Sequence, residues 1–230
     1  MNNRIIVIIG ASRGIGKALV DILSKDPENL ILALSRDWER MNDVFHAKEN
    51  VKSLSFDITK NVENQIRLLL NDYEKIDILI NNAGYLVNKP FPSITHEDFL
   101  NCYQVNVIGV METVQALLPK MEEKGAHIVN ISSMGGVQGT VKFAGLTAYS
   151  TSKAALCSFT ELFSEEFKNS TIKMNCLALG AAQTEMLEEA FPGYVAPLSA
   201  EKMAEYIADF ALKGHTWFNG KIIPVSLSTP

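Results

Sequence analysis

The chain is short of cysteine: three in 230 residues, Cys102, Cys157 and Cys176, odd in number and set in apolar stretches. Neither a disulfide framework nor a zinc or other metal site is expected from them, and buried thiols are. A basic excess is also missing, since 21 lysines and arginines stand against 26 acids and leave a formal net charge of -5. That balance argues against a phosphate-backbone partner, so no nucleic acid is expected. No apolar run approaches the ~18 to 20 residues that cross a bilayer. Met1-Asn2-Asn3-Arg4 leads straight into a β-type run with no small-residue cleavage site. A soluble, cytoplasmic protein without a membrane partner is the expectation. Repeats, low-complexity tracts and linkers are lacking too, and the length suits one domain over residues 1–230.

What the chain does have is a regular alternation. Residues 4–9 read Arg-Ile-Ile-Val-Ile-Ile, a β-branched run without polar alternation, as expected of a strand covered on both faces of a parallel sheet. Similar runs follow at 30–34, 51–56, 76–80, 127–131, 172–179 and 221–225. Between them, 14–25, 59–73, 96–123, 148–168 and 200–213 have helical length and period, with a shorter helix near 37–47. The reading is an α/β fold: a doubly wound (Rossmann) parallel sheet of about seven strands with helices on both faces. Residues 185–199, with Pro192-Gly193 and Pro197, read as a short substrate loop or lid.

In such a sheet ligands bind beyond the carboxyl ends of the strands. After the first run comes Gly10-Ala11-Ser12-Arg13-Gly14-Ile15-Gly16, where glycines permit a tight turn and the next helix aims free N–H groups at a phosphate. A dinucleotide diphosphate fits there, although any strand-to-helix turn favours glycine. The second run ends in Ser35-Arg36, where an acid would meet a ribose hydroxyl and a cation a 2′-phosphate. Arg36 and Arg13 therefore favour NADP over NAD; Asp37, one register away, would favour NAD. Asp57-Ile58 closes the third run, and Asp57 could cap the following helix or meet an adenine amine. The fourth run ends in Asn81-Asn82-Ala83-Gly84, which taken alone is a turn signal. Tyr149 and Lys153 stand at i and i+4 on one helical face, where a cation would lower the phenol's pKa, though exposed helices carry such pairs as well. Ser132 and Ser133 add hydroxyls at the end of the fifth run.

Taken in order along nearly the whole chain, these segments resemble the classical short-chain dehydrogenase/reductase family. The Gly10, Gly14, Gly16 spacing is similar to its cofactor turn, Asn81-Asn82-Ala83-Gly84 to its structural signature and Tyr149-x-x-x-Lys153 to its catalytic pair. Asn106 and Ser133 match its catalytic asparagine and serine. The resemblance implies a nicotinamide cofactor and reversible hydride transfer between an alcohol and a carbonyl, with a ketone or 3-oxoacyl-type substrate. It implies that Tyr149 donates the proton, Ser133 hydrogen-bonds the carbonyl oxygen and Lys153 holds the nicotinamide ribose. Asn106 would anchor a water joining Lys153 to solvent, and Gly180, Ala182 and Thr184 would flank the nicotinamide and diphosphate. Cofactor contacts are expected from Gly10, Ser12, Arg13, Gly14, Ile15, Gly16, Arg36, Asp57, Ile58, Asn82, Ala83, Gly84, Tyr149 and Lys153.

The departures are Ile9 for the family's usual threonine, Leu179 for its proline, a longer Ser133-to-Tyr149 connection and a C-terminal segment 224–230 without the usual glycine pair. The rival readings are a dinucleotide-binding regulator that has kept the fold without turnover, an NAD-dependent alcohol dehydrogenase, and a sugar-nucleotide epimerase, which would want a larger C-terminal region. Val110, Ala116, Leu117, Ala154, Ala155, Leu156, Phe159 and Phe163 exceed what one sheet contact requires, so a homodimer or homotetramer built on the long helices is expected.

Overall fold

The computed structural model describes residues 4–121 and 125–227. The end of the expected 96–123 helix and residues 228–230 of the C-terminal segment lie outside them. Strands β1 (Arg4–Ile9), β2 (Asn29–Ser35), β3 (Val51–Ser55), β4 (Ile78–Asn81), β5 (His127–Ser133), β6 (Lys173–Leu179) and β9 (Ile222–Val225) form one seven-stranded sheet in the order β3-β2-β1-β4-β5-β6-β9. Every ladder is parallel. Two-residue strands β7 (Ala182–Gln183) and β8 (Leu198–Ser199) pair with each other and pin the base of the 184–197 segment.

The helices are α1 (Gly14–Leu23), α2 (Trp38–Phe45), α3 (Val62–Leu69), α4 (His96–Tyr103), α5 (Gly109–Leu117), α6 (Thr147–Glu166), α7 (Glu185–Ala190) and α8 (Ala200–Lys213). Both sheet faces are covered, which is why the strands carry no polar alternation. Ile6 and Ile8 join one core with α1, α2 and α8, while Val7 and Ile9 face the other with α3, α5 and α6. All four are at most 1% exposed, and full burial of each contributes about 1.5–3 kcal/mol. On α8 the buried side chains Ala200, Met203, Ala204, Ile207, Ala208 and Ala211 keep the i, i+3, i+4 rhythm.

Two expected helices differ from the sequence reading. The 59–73 helix is confined to Val62–Leu69, because Asn61 at its N-cap has a left-handed φ of 38° and ends the turn that Asp57 and Thr59 build. The 96–123 helix is interrupted by a π segment, Gln104–Ile108, which inserts one wide turn between α4 and α5. Val110, Leu117, Leu156 and Phe163 are buried against the chain's own sheet, and the exposed apolar side chains on these helices are Leu100, Ile108 and Leu162. The three thiols are free and buried, yet Cys157 and Cys176, far apart in sequence, bring their sulfurs to 3.9 Å.

At the amino ends of the strands His127 is 2% exposed. Its Nδ1 faces the Ala211 carbonyl at 2.9 Å, and the Asn175 amide reaches its Nε2 at 3.1 Å. That arrangement fixes the neutral ring with the proton on Nδ1. Burial lowers its pKa to about 4, the Ala211 carbonyl opposing and His215 adding a smaller push in the same direction. The ordinary value is ~6.5, so between about pH 6.5 and 4 the unfolded chain takes a proton that the folded chain refuses. Stability should fall with pH across that window by ~1.4 kcal/mol per unit from this group. Urea midpoints measured from pH 7 to pH 5 should show a slope that His127→Gln reduces; an equal slope in both proteins would remove His127 from the account.

Candidate active site

The strand order reverses between β1 and β4, and a crevice opens there at their carboxyl ends. It continues into a cavity of about 740 Å³ that runs from the β2 end to the α7 segment. A groove of about 880 Å³ lies outside α1 and α8, lined largely by charged side chains such as Lys17, Asp21 and Glu205. The crevice is the candidate site, because it alone gathers the Tyr149, Lys153 and Ser133 side chains beside an uncapped helix N-terminus. Of the catalytic and cofactor-contact residues expected from the family resemblance, all but Gly16, Asp57 and Asn106 line it.

The nucleotide end is built by close backbone approach. Gly10 has φ +83°, and a Cβ there would lie 2.7 Å from the Ala83 Cα. A Cβ on Gly16 would lie 2.0 Å from the Gly10 carbonyl oxygen and 2.6 Å from the Asn82 amide nitrogen. The Asn82 amide donates to that carbonyl at 2.8 Å, tying the β4 exit to the β1 turn. Arg13, at the N-cap of α1, makes no side-chain cap, so the first N–H groups of the helix face the crevice unclaimed by a cap. Ser35 donates to the Ser12 hydroxyl at 3.0 Å and brings the β2 end against the turn.

Charges around this end are partly paired. Arg13 is held by Glu189 of α7 at 2.5 Å, and Arg40 by Glu185 at 3.4 Å. Arg36 is exposed and pairs with no carboxylate among the described residues. Asp37 accepts the Arg40 N–H at 3.3 Å as the N-cap of α2 and does not line the cavity. The capping reading of Asp57 is corrected: Asn61, not Asp57, is the N-cap of α3. The Asp57 carboxylate accepts from the Thr59 amide and hydroxyl at 3.0 and 2.7 Å and pairs with Lys60. Gln65, which the sequence reading missed, holds the Asp57 backbone from both sides.

At the other end, α6 begins at Thr147 and places Tyr149 in its first turn and Lys153 one turn on. The Lys153 Nζ lies 5.8 Å from the Tyr149 ring centre and donates to the Ile131 carbonyl at 2.8 Å. Ser133, at the end of β5, accepts the Gly135 N–H at 3.3 Å and lies beside the Tyr149 phenol, whose pKa it lowers. Burial raises Tyr149 to about 12, Ser133 opposing, and burial lowers Lys153 to about 8. The expected depression of the phenol by Lys153 is therefore outweighed: desolvation dominates both groups and drives them toward their neutral forms.

Asn106 sits in the π segment, fully buried. Its Oδ1 accepts the Tyr85 N–H at 2.8 Å, and its amide donates to the Tyr85 carbonyl and to the Ser152 hydroxyl, each at 2.9 Å. Ser152 in turn donates to the Tyr149 carbonyl at 2.7 Å. Both amide protons are committed, so the residue clamps the β4 exit to α6, and only an Oδ1 lone pair is left for the expected water. Ser152 was not singled out from the sequence, where its only sign was a place inside Tyr-Ser-Thr-Ser-Lys. On the sheet beneath, the Asn81 amide donates to Asn130 Oδ1 at 2.9 Å, while Asn81 Oδ1 is buried with no partner among the described residues. No group of three or more His, Cys, Asp or Glu among the described residues could hold a metal ion.

The family model for short chain dehydrogenases matches residues 4–194. The chain belongs to that family of oxidoreductases. An uncharacterized oxidoreductase of Staphylococcus saprophyticus is 34% identical over 199 residues, covering 82% of this chain and 79% of the relative. Among solved structures, a chain titled ribose-5-phosphate isomerase from Brucella melitensis 16M superposes with a TM-score of 0.88 at 26% identity, covering all of this chain and 93% of that one. A 3-ketoacyl-(acyl-carrier-protein) reductase from Brucella melitensis, complexed with NADH, superposes with a TM-score of 0.85 at 22% identity over 97% of each chain, a likeness of fold.

The nucleotide end depends on the missing Gly16 side chain. Gly16→Ala forces a methyl against the Gly10 carbonyl and should cost ~1–3 kcal/mol, lowering the thermal midpoint by ~2–4 °C per kcal/mol. Calorimetry checks this, and an unchanged midpoint would show that the turn moves aside freely.

Proposed function

We propose that the protein is an NADP(H)-dependent carbonyl reductase that converts a ketone or aldehyde to an alcohol. The observation that carries this reading is the meeting, in one cavity, of a phenol, a hydroxyl beside it and a buried ammonium with a glycine-lined, uncapped helix N-terminus. A nicotinamide dinucleotide fits the crevice, because Gly10 and Gly16 keep free the space that side chains would fill and α1 offers its N–H groups to a diphosphate. Gly14, Ile15 and Ser12 would hold the diphosphate with Thr184, while Ile58 and Asn82 to Gly84 would wall the adenosine. Gly180 and Ala182 would lie beside the nicotinamide. When bound, the cofactor supplies the hydride.

The protein supplies the proton and the polarisation. Tyr149, neutral at physiological pH because its pKa is about 12, donates its phenolic proton to the substrate oxygen as negative charge develops there. Ser133 hydrogen-bonds the same oxygen. Lys153, protonated below about pH 8, holds the ribose hydroxyls and returns a proton to Tyr149. Asn106 keeps α6 at a fixed distance from the β4 exit and so keeps Tyr149 facing the cavity. A proton donor with a raised pKa suits reduction better than oxidation, which needs the phenolate.

Cofactor choice rests on Arg36, exposed at the β2 end and unpaired, and on Asp37 being spent as a helix cap. NADPH should bind more tightly than NADH. Arg36→Ala should weaken NADPH by about 10- to 100-fold, the loss of one charge-assisted hydrogen bond, and leave NADH within a few-fold. Fluorescence titration with both cofactors tests this; tighter NADH binding by the unaltered protein would overturn it.

Tyr149→Phe should lower kcat by ~10²- to 10⁴-fold while cofactor affinity stays within a few-fold. Lys153→Ala should damage both. In the unaltered enzyme reduction should slow as pH rises through about 8, where Lys153 gives up its proton. A Tyr149→Phe protein that reduces its best carbonyl at the unaltered rate would end the mechanism, whereas the absence of turnover by the unaltered protein would favour a non-catalytic scaffold.

A further inference from the structure

Beyond the nucleotide end, the cavity's far wall comes from three separate segments. They contribute Tyr85 and Leu86, Met134 with Phe143 and Leu146, and Met186 with Leu187, Phe191 and Tyr194. The segments are stitched to one another: the Lys89 N–H donates to the Gly145 carbonyl at 3.0 Å, and the Asn88 amide to the Ala190 carbonyl at 2.9 Å. Apart from Ser133, Tyr149 and Lys153 on the floor, this wall presents no charged side chain. The charged residues that also line the cavity, Arg13, Arg36 and Glu185, belong to the nucleotide end, where Glu185 faces Arg40.

The cations beside this mouth are turned away from it. Lys89 is held by both oxygens of Asp98, at 2.9 and 2.7 Å. Lys142, next to Phe143, folds back on the Gly135 and Val137 carbonyls and the Thr140 hydroxyl, closing its own turn. On the α7 side the Glu188 carboxylate accepts the Gly193 N–H at 3.1 Å and lines the neighbouring groove, while Glu185 and Glu189 of the same helix are paired with Arg40 and Arg13. A carboxylate or phosphate on the substrate would lose its water inside and find no partner on the wall.

We propose that this end of the site takes an uncharged carbonyl compound, free in solution and flanked by apolar groups, and that it discriminates against carboxylate-bearing carbonyls and those linked to a phosphate-bearing or acidic carrier. The inference rests on the carbonyl-reductase reading for its chemistry and on the wall alone for its selectivity. It narrows the substrate class within ketones and 3-oxoacyl compounds. Phe143 and Tyr194, 41% and 48% exposed at the mouth, offer flat faces for a planar or branched apolar group. Met134 and Met186 supply adaptable surface beside them.

Matched pairs test it. NADPH oxidation is followed with the ethyl ester of a 3-oxo acid against the free 3-oxo acid, and with its N-acetylcysteamine thioester against its coenzyme A thioester. In each pair kcat/KM should favour the neutral compound by about tenfold or more. Equal or better use of the anion or the coenzyme A thioester would overturn the proposal. Calorimetric binding of the same pairs to NADPH-loaded Tyr149→Phe protein separates selectivity from chemistry. If nothing is turned over but the neutral compounds still bind more tightly, the wall assignment stands and the reductase reading falls; equal binding sinks the wall assignment whatever the turnover. Phe143→Lys, at an exposed position that the fold tolerates, should improve the anion's kcat/KM about threefold or more relative to the ester. No gain would count against Phe143 as part of the wall.

Discussion

The close approach of the β1 turn to the β4 exit is the constraint on which the rest of the site depends. Two missing side chains, at Gly10 and Gly16, let the backbones come within van der Waals reach, and one amide, Asn82 to Gly10, fixes them there. Because the strand order reverses at this seam, the helices after β1 and β4 leave to opposite faces and cannot fill the space between. The seam therefore stays both rigid and open. The far wall starts from its exit: Tyr85 follows Gly84 directly and is gripped through its backbone by Asn106.

Burial governs the electrostatics. Lys153 is 3% exposed and has one backbone carbonyl beneath its ammonium, so it carries its charge reluctantly, and the phenol beside it is held neutral by the same loss of water. A cation and a phenol arranged in this way do not form a standing phenolate pair. They become useful when a substrate oxygen takes on negative charge between Tyr149 and Ser133. Closer to the surface Glu189 raises the Arg13 pKa by its hydrogen bond, and Glu189 and Glu185 orient Arg13 and Arg40 across the nucleotide entrance, where solvent limits the strength of each pair.

The sheet was legible in the sequence because strands buried on both faces need uninterrupted apolar runs, and residues 5–9 and 30–34 are such runs. Most of the cavity lining was legible for a related reason: the fold puts whatever follows each strand at one edge, so Gly10, Gly84, Ser133 and Gly180 had to gather there. The π segment was hidden, since one extra residue in a helical turn leaves the apolar period of 96–117 nearly intact. The clamp of Asn106 on Tyr85 and Ser152 became visible only with the wide turn in place. Composition alone could not show that Val110 and Leu156 belong to the chain's own core, because a helix face that meets its own sheet and one that meets another copy are equally apolar. The capping reading of Asp57 failed through local competition: Thr59 and Lys60, its immediate neighbours, engage the carboxylate, and the helix begins only after Asn61.

Strand β5 begins at His127 and ends at Ser133, so the ring that refuses a proton and the hydroxyl beside the phenol share one seven-residue segment, ~20 Å from end to end. The two ends answer to acid and alkali separately. Below neutrality the first group to resist titration is His127, which touches no part of the cavity, whereas Tyr149 and Lys153 change state only on the alkaline side. An activity-versus-pH curve for this protein is thus two measurements joined at neutrality: its acid limb records how much of the population is still folded, and its alkaline limb records proton supply in the folded molecules that remain.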